Sequence, residues 1–117
     1  MNEPVPQPLR GEVWLVDLGP ARGHEQAGVR PAVIVSTDLF SRGPAGLAVM
    51  APMTTSRRDV RWHVPVSPPN GGLRRQSFIK CEDVRSMSIE RLIERVGSLD
   101  VLTMAHIETR LRVLLEI

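Results

Sequence analysis

At 117 residues and 13.0 kDa the chain has room for one domain, and 42% hydrophobic with 24% charged residues is ordinary globular usage that argues against disorder or a fibrous repeat. The single cysteine, Cys81, excludes an internal disulfide and any Cys-rich metal site; no apolar run nears the ~20 residues of a membrane span, and no charged leader precedes an apolar stretch, so the expectation is a cytoplasmic protein. The formal charge of +2 hides a division: −1 over residues 1–50, +4 over 51–85 and −1 over 86–117.

In chain order, residues 1–9 carry three prolines and no periodicity and read as a flexible N-terminal arm, leaving 10–117 as a single domain. Glu12 to Leu18 reads as a strand. Gly19 to Val29 is a loop with four Gly or Pro positions, and Arg30-Pro31 leads into Ala32 to Ser36, a β-branched run typical of a buried strand. Ser41 to Gly46 is a turn. Leu47 to Met53 is another strand, in which Pro52 points to an edge or a bend.

Thr54 to Asp59 is a polar, basic loop. Val60, Trp62, Val64 and Val66 then alternate with Arg61, His63 and Pro65, the period-2 pattern of a half-exposed strand. Pro68 to Gly72 is a tight turn, Gln76 to Glu82 a strand centred on Phe78, Ser88 with Glu90 a short helix start, and Val96 to Ser98 a brief return to the sheet. Asp100 caps a final helix whose stripe is Met104, Ile107, Leu111 and Leu114, with Glu108, Arg110 and Arg112 turned away. The fold class is mainly β with α: a small β-barrel or coiled sheet capped by a C-terminal helix.

Familiar sites are absent: no Gly-Lys-Ser phosphate loop, no dinucleotide fingerprint and no His-Glu-x-x-His pair. His24, His63 and His106 are isolated from one another; His106 reads as structural, and Cys81 as a small buried hydrophobe within a strand. Chemistry concentrates in Gly23-His24-Glu25-Gln26-Ala27-Gly28-Val29-Arg30-Pro31, where two titratable groups, an amide and a cation share a Gly-flanked loop. The plain alternative is a polar loop in which Glu25 and Arg30 merely pair. Fourteen of the fifteen basic residues are Arg, whose planar fork suits phosphate, so the +4 middle segment points to a polyanion, with a solvated basic loop as the alternative.

Arg10 to Leu18, Pro20, Gly23-His24-Glu25-Gln26, Gly28-Val29-Arg30-Pro31, Pro52-Met53-Thr54-Thr55-Ser56 and Lys80-Cys81-Glu82-Asp83-Val84-Arg85-Ser86 stand in an order that resembles the MazF/PemK (Kid) family of toxin endoribonucleases, over roughly residues 9 to 116. The resemblance implies an SH3-like, CcdB-like barrel working as a homodimer, a metal-independent and sequence-specific ribonuclease for single-stranded RNA, and an acidic cognate antitoxin (MazE/PemI-like) as partner, with no cofactor and no membrane. It places the catalytic Arg on Arg30 and the catalytic Thr on Thr54, with His24 and Glu25 in the active-site loop. Lys80 and Glu82 occupy places where the PemK branch has Arg and Asp, and Asp83-Val84-Arg85-Ser86-Met87-Ser88 lacks the acid that ends the corresponding family turn. RNA contacts are expected from Gln26, Thr55, Ser56, Arg57, Arg58, Arg61, Arg74, Arg75 and Arg85.

Chemistry alone divides the labour. An Arg side chain holds its proton to a pKa above ~12, so Arg30 and the Thr54 hydroxyl suit charge stabilisation, and proton transfer falls to His24, Glu25 or Glu82. Two readings compete: a CcdB-like protein that binds a topoisomerase, and a non-catalytic RNA-binding module of the same form. Neither has a use for the Gly-His-Glu-Gln and Arg-Pro block.

Overall fold

The computed structural model describes residues 5–117. The expected arm at 1–9 therefore lies partly outside the described residues; within them, Pro8 is buried and the Leu9 N–H donates to Glu12 Oε1. Seven strands form one antiparallel sheet: β1 (Glu12–Asp17), β2 (Val29–Ile34), β3 (Leu47–Thr54), β4 (His63–Val66), β5 (Ser77–Lys80), β6 (Arg85–Ser88) and β7 (Leu92–Ser98). Their order is β4-β5-β3-β2-β1-β7, with β6 added beside β3. Two helices complete the fold, α1 (Asp38–Ser41) and α2 (Val101–Leu115). No helix among the described residues is long and apolar enough to cross a membrane.

The sheet is open: β4 and β7 end the strand order unpaired with each other, where a closed barrel would join them. Its central strands are buried on both faces. Val13, Val33, Ala51, Met53, Ile79, Met104 and Ile107 belong to one core, while Val16, Ala32, Ile34, Ala48, Met50 and Leu92 belong to a second. Two-sided burial explains why residues 32–36 and 47–53 are almost unbroken apolar runs. β3 is the hub. One flank pairs with β2, and the other passes from β6, along Leu47–Met50, to β5, at Met53 and Thr54. Pro52 falls at that hand-over, on a flank with no ladder partner opposite it, which is where a residue lacking an N–H is tolerated. β3 is paired on both flanks, so Pro52 does not mark an edge.

Other expectations change in detail. β2 begins at Val29, so Arg30 sits on the strand instead of ahead of it. α1 is not legible in the sequence; Thr37 caps it by accepting from the Phe40 N–H. The alternation from Val60 onward yields a strand only from His63, and there it fails: His63 and Val64 are both buried, while Val60 is exposed. Cys81 lies in a 3-10 turn after β5, fully buried; burial pushes its thiol up to about 11. The 88–91 start is a 3-10 turn capped by Ser88, and the brief return becomes a seven-residue strand paired with β1. On α2, Met104 and Ile107 are buried as the stripe requires, whereas His106 is exposed and not the packed structural histidine expected.

β7 crosses directly over the turn at Asn70–Gly72. A Cβ on Gly97 would stand 2.6 Å from the backbone of Gly71, so only glycine lets the two backbones approach this closely. At the start of α2, Asp100 Oδ1 accepts from the Thr103 N–H at 2.8 Å. Bonds from Thr103, the side chain first and then the N–H, hold the Asp100 carboxyl below its ordinary 3.8. A lowered folded-state value means the cap's contribution is complete above the ordinary value and is lost as pH falls through the lowered one. Asp100→Ala should lower the melting temperature at neutral pH, with the gap to the parent chain narrowing under acid.

Candidate active site

The loop between β1 and β2 is closed at its base by two backbone bonds, Leu18 N–H to Gly28 and Gly28 N–H to Gly19, at 2.9 Å each. Gly19 and Gly28 both have φ near +75°, which side-chain-bearing residues rarely adopt. The far end of the loop is held by the stretch from the last residue of β5 to the first of β6. Lys80 Nζ donates to the His24 carbonyl at 3.0 Å, Arg85 Nη2 to the Gln26 carbonyl at 2.7 Å, and Asp83 Oδ2 accepts from the Gln26 N–H at 2.8 Å. Asp83 also bonds Arg85 at 3.1 Å and stands 3.9 Å from Lys80. Three charged side chains, all largely buried, thus fasten the loop's backbone and leave its side chains outward.

Those side chains face a cavity of about 430 Å³ lined by Gly23, His24, Glu25, Gln26, Thr54, Arg58, Val60, Lys80 and Glu82. Residues from four separate stretches of sequence meet there. Thr54 ends β3, and its Oγ1 accepts from the Ser56 N–H at 3.1 Å, so the hydroxyl proton remains available to donate. Glu82 is only partly shielded, and its Oε2 lies 2.9 Å from Nε2 of His63. Imidazole, two carboxylates, a hydroxyl and two cations in one cleft permit proton transfer and anion stabilisation together.

Not every expected residue reaches this cavity. Arg30 is exposed on β2, and its Nε donates to the Ala27 carbonyl at 3.2 Å; it does not pair with Glu25. Thr55 and Ser56 lie in the loop end after Thr54 and are exposed. Arg57 pairs with Asp59 at 2.9 Å and lines an adjoining cavity of about 250 Å³ with Val60, His63, Pro65, Gln76 and Phe78. Arg61 lies over the neighbouring Trp62 ring, 5.0 Å from its centroid. Arg75 is exposed, and Arg74 lines a different cleft with Pro31, Glu94 and Arg95. Lys80 and Arg85 spend donors on loop carbonyls. The +4 segment is therefore not one continuous groove.

Sequence reasoning misses Asp83 and His63. A weak signal for Asp83 is its place between Lys80 and Arg85, an acid three residues after one cation and two before another. For His63 the signal misleads, because the alternation turns it outward.

Known proteins share this architecture. Residues 9–115 match the family of PemK-like, MazF-like toxins of type II toxin–antitoxin systems. The chain is similar to endoribonuclease MazF9 of Mycobacterium tuberculosis, at 34% identity over 92% of this chain and 96% of that one, and to endoribonuclease PemK of Escherichia coli, at 36% over 74% and 68%. Among solved structures, it superposes on a mycobacterial endoribonuclease in complex with its cognate antitoxin with a TM-score of 0.79 at 27% identity, covering 94% of this chain and 96% of that one. The fold also matches a MazF from Deinococcus radiodurans with a TM-score of 0.83 at 24% identity, covering 94% and 97%.

Asp83→Ala removes the carboxylate that holds the Gln26 N–H. Because a hydrogen bond to a charged group contributes about 1.5–3 kcal/mol, hydrogen exchange at the Gln26 amide should quicken by roughly tenfold or more. Exchange in β2 should stay as it was.

Proposed function

The chain belongs to the PemK-like, MazF-like toxins of type II toxin–antitoxin systems, and from that premise we propose how it works: it cuts single-stranded RNA by turning the substrate's own 2′-OH on the adjacent phosphate. It is an endoribonuclease, as its curated relatives are. The observation that carries the mechanism is the convergence of His24, Glu25, Glu82, Thr54 and Lys80 on one cavity.

The 2′-oxygen already stands beside the phosphorus, so the enzyme supplies little beyond position, proton transfer and charge. As the 2′-O–P bond forms and the P–O5′ bond breaks, a carboxylate, Glu82 by preference, takes the 2′-OH proton. His24 or Glu25 returns a proton to the leaving 5′-oxygen. The products are a 2′,3′-cyclic phosphate and a 5′-OH. Lys80 and the Thr54 hydroxyl face the phosphorane oxygens, and Arg30, held by a single bond to Ala27 at the loop's end, adds its charge to them. The adjoining cavity, with Phe78 and Gln76 in its wall, takes a neighbouring base against an aromatic face.

Arg57, Arg58 and Arg61 meet the RNA backbone beside the cavity. The protein acts as a homodimer, and an acidic antitoxin tail fills the same cleft; the antitoxin complex of the mycobacterial relative supports that partner.

Three measurements test this reading. Arg30→Ala and Thr54→Ala should each lower cleavage of a short single-stranded RNA by about 10²-fold or more while the fold persists. Cleavage should continue in EDTA, and activity lost to chelation and restored by Mg²⁺ would overturn the mechanism. Neutralising Arg57, Arg58 and Arg61 should flatten the salt dependence of RNA binding by ~0.7 in log–log slope for each phosphate no longer neutralised.

A further inference from the structure

His63 takes no part in the proposed reaction, yet its surroundings suit it to one. It stands on β4 opposite Lys80 of β5, with 6% of its side chain exposed. It forms part of the wall between two cavities: it lines the smaller, while Glu82, bonded to its Nε2, lines the larger. Its other nitrogen, Nδ1, is buried and has no hydrogen-bond partner among the described residues.

The pairing with Glu82 places a proton on Nε2. A proton on Nδ1 alone would leave Nε2 with only a lone pair to face a carboxylate oxygen, which can only accept. A proton on Nε2 instead points at a carboxylate oxygen 2.9 Å away. The ring therefore donates from Nε2. His63 is not in the lining of the larger cavity, and its Nε2 is committed to Glu82, so it does not meet the substrate there itself. What it can do is hold Glu82.

We propose that His63 is a positioning residue for the reaction: its Nε2–H fixes Oε2 of Glu82, orients the carboxylate into the cavity and leaves the second oxygen free for the substrate. The carboxylate needs such a fixture. Glu82 lies in a 3-10 turn beside Asp83, its side chain is about one-third exposed, and its several rotatable bonds give it a wide sweep. The cations facing the cavity, Lys80 and Arg58, would otherwise compete for it, as would the exposed His24; Glu25 would repel it. A carboxylate salt-bridged to Lys80 points at the wrong partner. The part-buried bond to His63 turns the carboxylate the other way.

This inference rests on the assignment of Glu82 to proton transfer, and a double-mutant cycle separates the two. His63→Phe keeps an aromatic ring and removes the donor; it is expected to lower kcat on a short single-stranded RNA by about tenfold to 10²-fold with KM little changed. Glu82→Gln should lower kcat at least as far. The combined variant should be no slower than Glu82→Gln alone, because the donor's only task was to hold a carboxylate that is gone. His63→Gln, whose amide nitrogen falls near the place of Nε2, should recover most of the lost rate, whereas His63→Asn, whose amide falls short, should not. This Gln and Asn pair keeps the test decisive if the Phe variant fails to fold.

Losses that multiply in the double variant, or Gln and Asn variants of equal rate, would overturn the role of His63 and leave Glu82 in place. Full activity in Glu82→Gln would overturn both.

Discussion

Residues 18–28 separate β1 from β2, and most of their side chains are polar, small or charged. Such a loop has no apolar reason to hold one shape. What fixes it is a set of charged contacts made to its backbone by residues 56 to 59 positions later: Lys80 to the His24 carbonyl, and Asp83 with Arg85 to the two polar groups of Gln26. Because carbonyls and an N–H are gripped, and not side chains, His24 and Glu25 stay free to face the cavity. The rest of the site depends on this arrangement. The same turn that grips the loop carries Glu82, so the loop and the carboxylate opposite it are positioned by one short segment, itself fixed by the fully buried Cys81.

Burial also decides how much of the molecule is legible in its sequence. The strands with two buried faces announce themselves as apolar runs, and α2 as a capped stripe through Met104 and Ile107. Both signals come from the residue's own preference for leaving water. The loop residues that line the cavity are legible from their types and from family likeness. Asp83 and His63 are not, because their roles are long-range: the pairing of β4 with β5 brings His63 to Glu82, and the pairing of β3 with β2 on one flank and β5 and β6 on the other brings Asp83 to Gln26. His63 shows the failure most directly. Period-2 alternation assumes that a polar side chain seeks water, yet a polar side chain with a buried hydrogen bond has no need of it.

Charge tells a similar half-truth. Counting Arg and Lys picks out the basic middle third of the chain, but the count treats every cation as outward and free. Lys80 and Arg85 are turned inward, Arg57 is paired with Asp59, and Arg74 belongs to another cleft. Fewer of these charges face outward than the sequence suggests. Arg58 and Lys80 are the cations that line the larger cavity, together with Thr54.

The open sheet has a consequence of its own. β4, β6 and β7 each pair along one edge only, and a free edge invites another extended chain to add itself as an eighth strand. Here these edges are blunted. β4 and β6 are four residues long, β4 with Pro65 within it, and β7 carries exposed Glu94 and Arg95 along its length. Templated growth by strand addition is thereby disfavoured, and the fold stays open without offering a long, flat edge to a neighbouring chain.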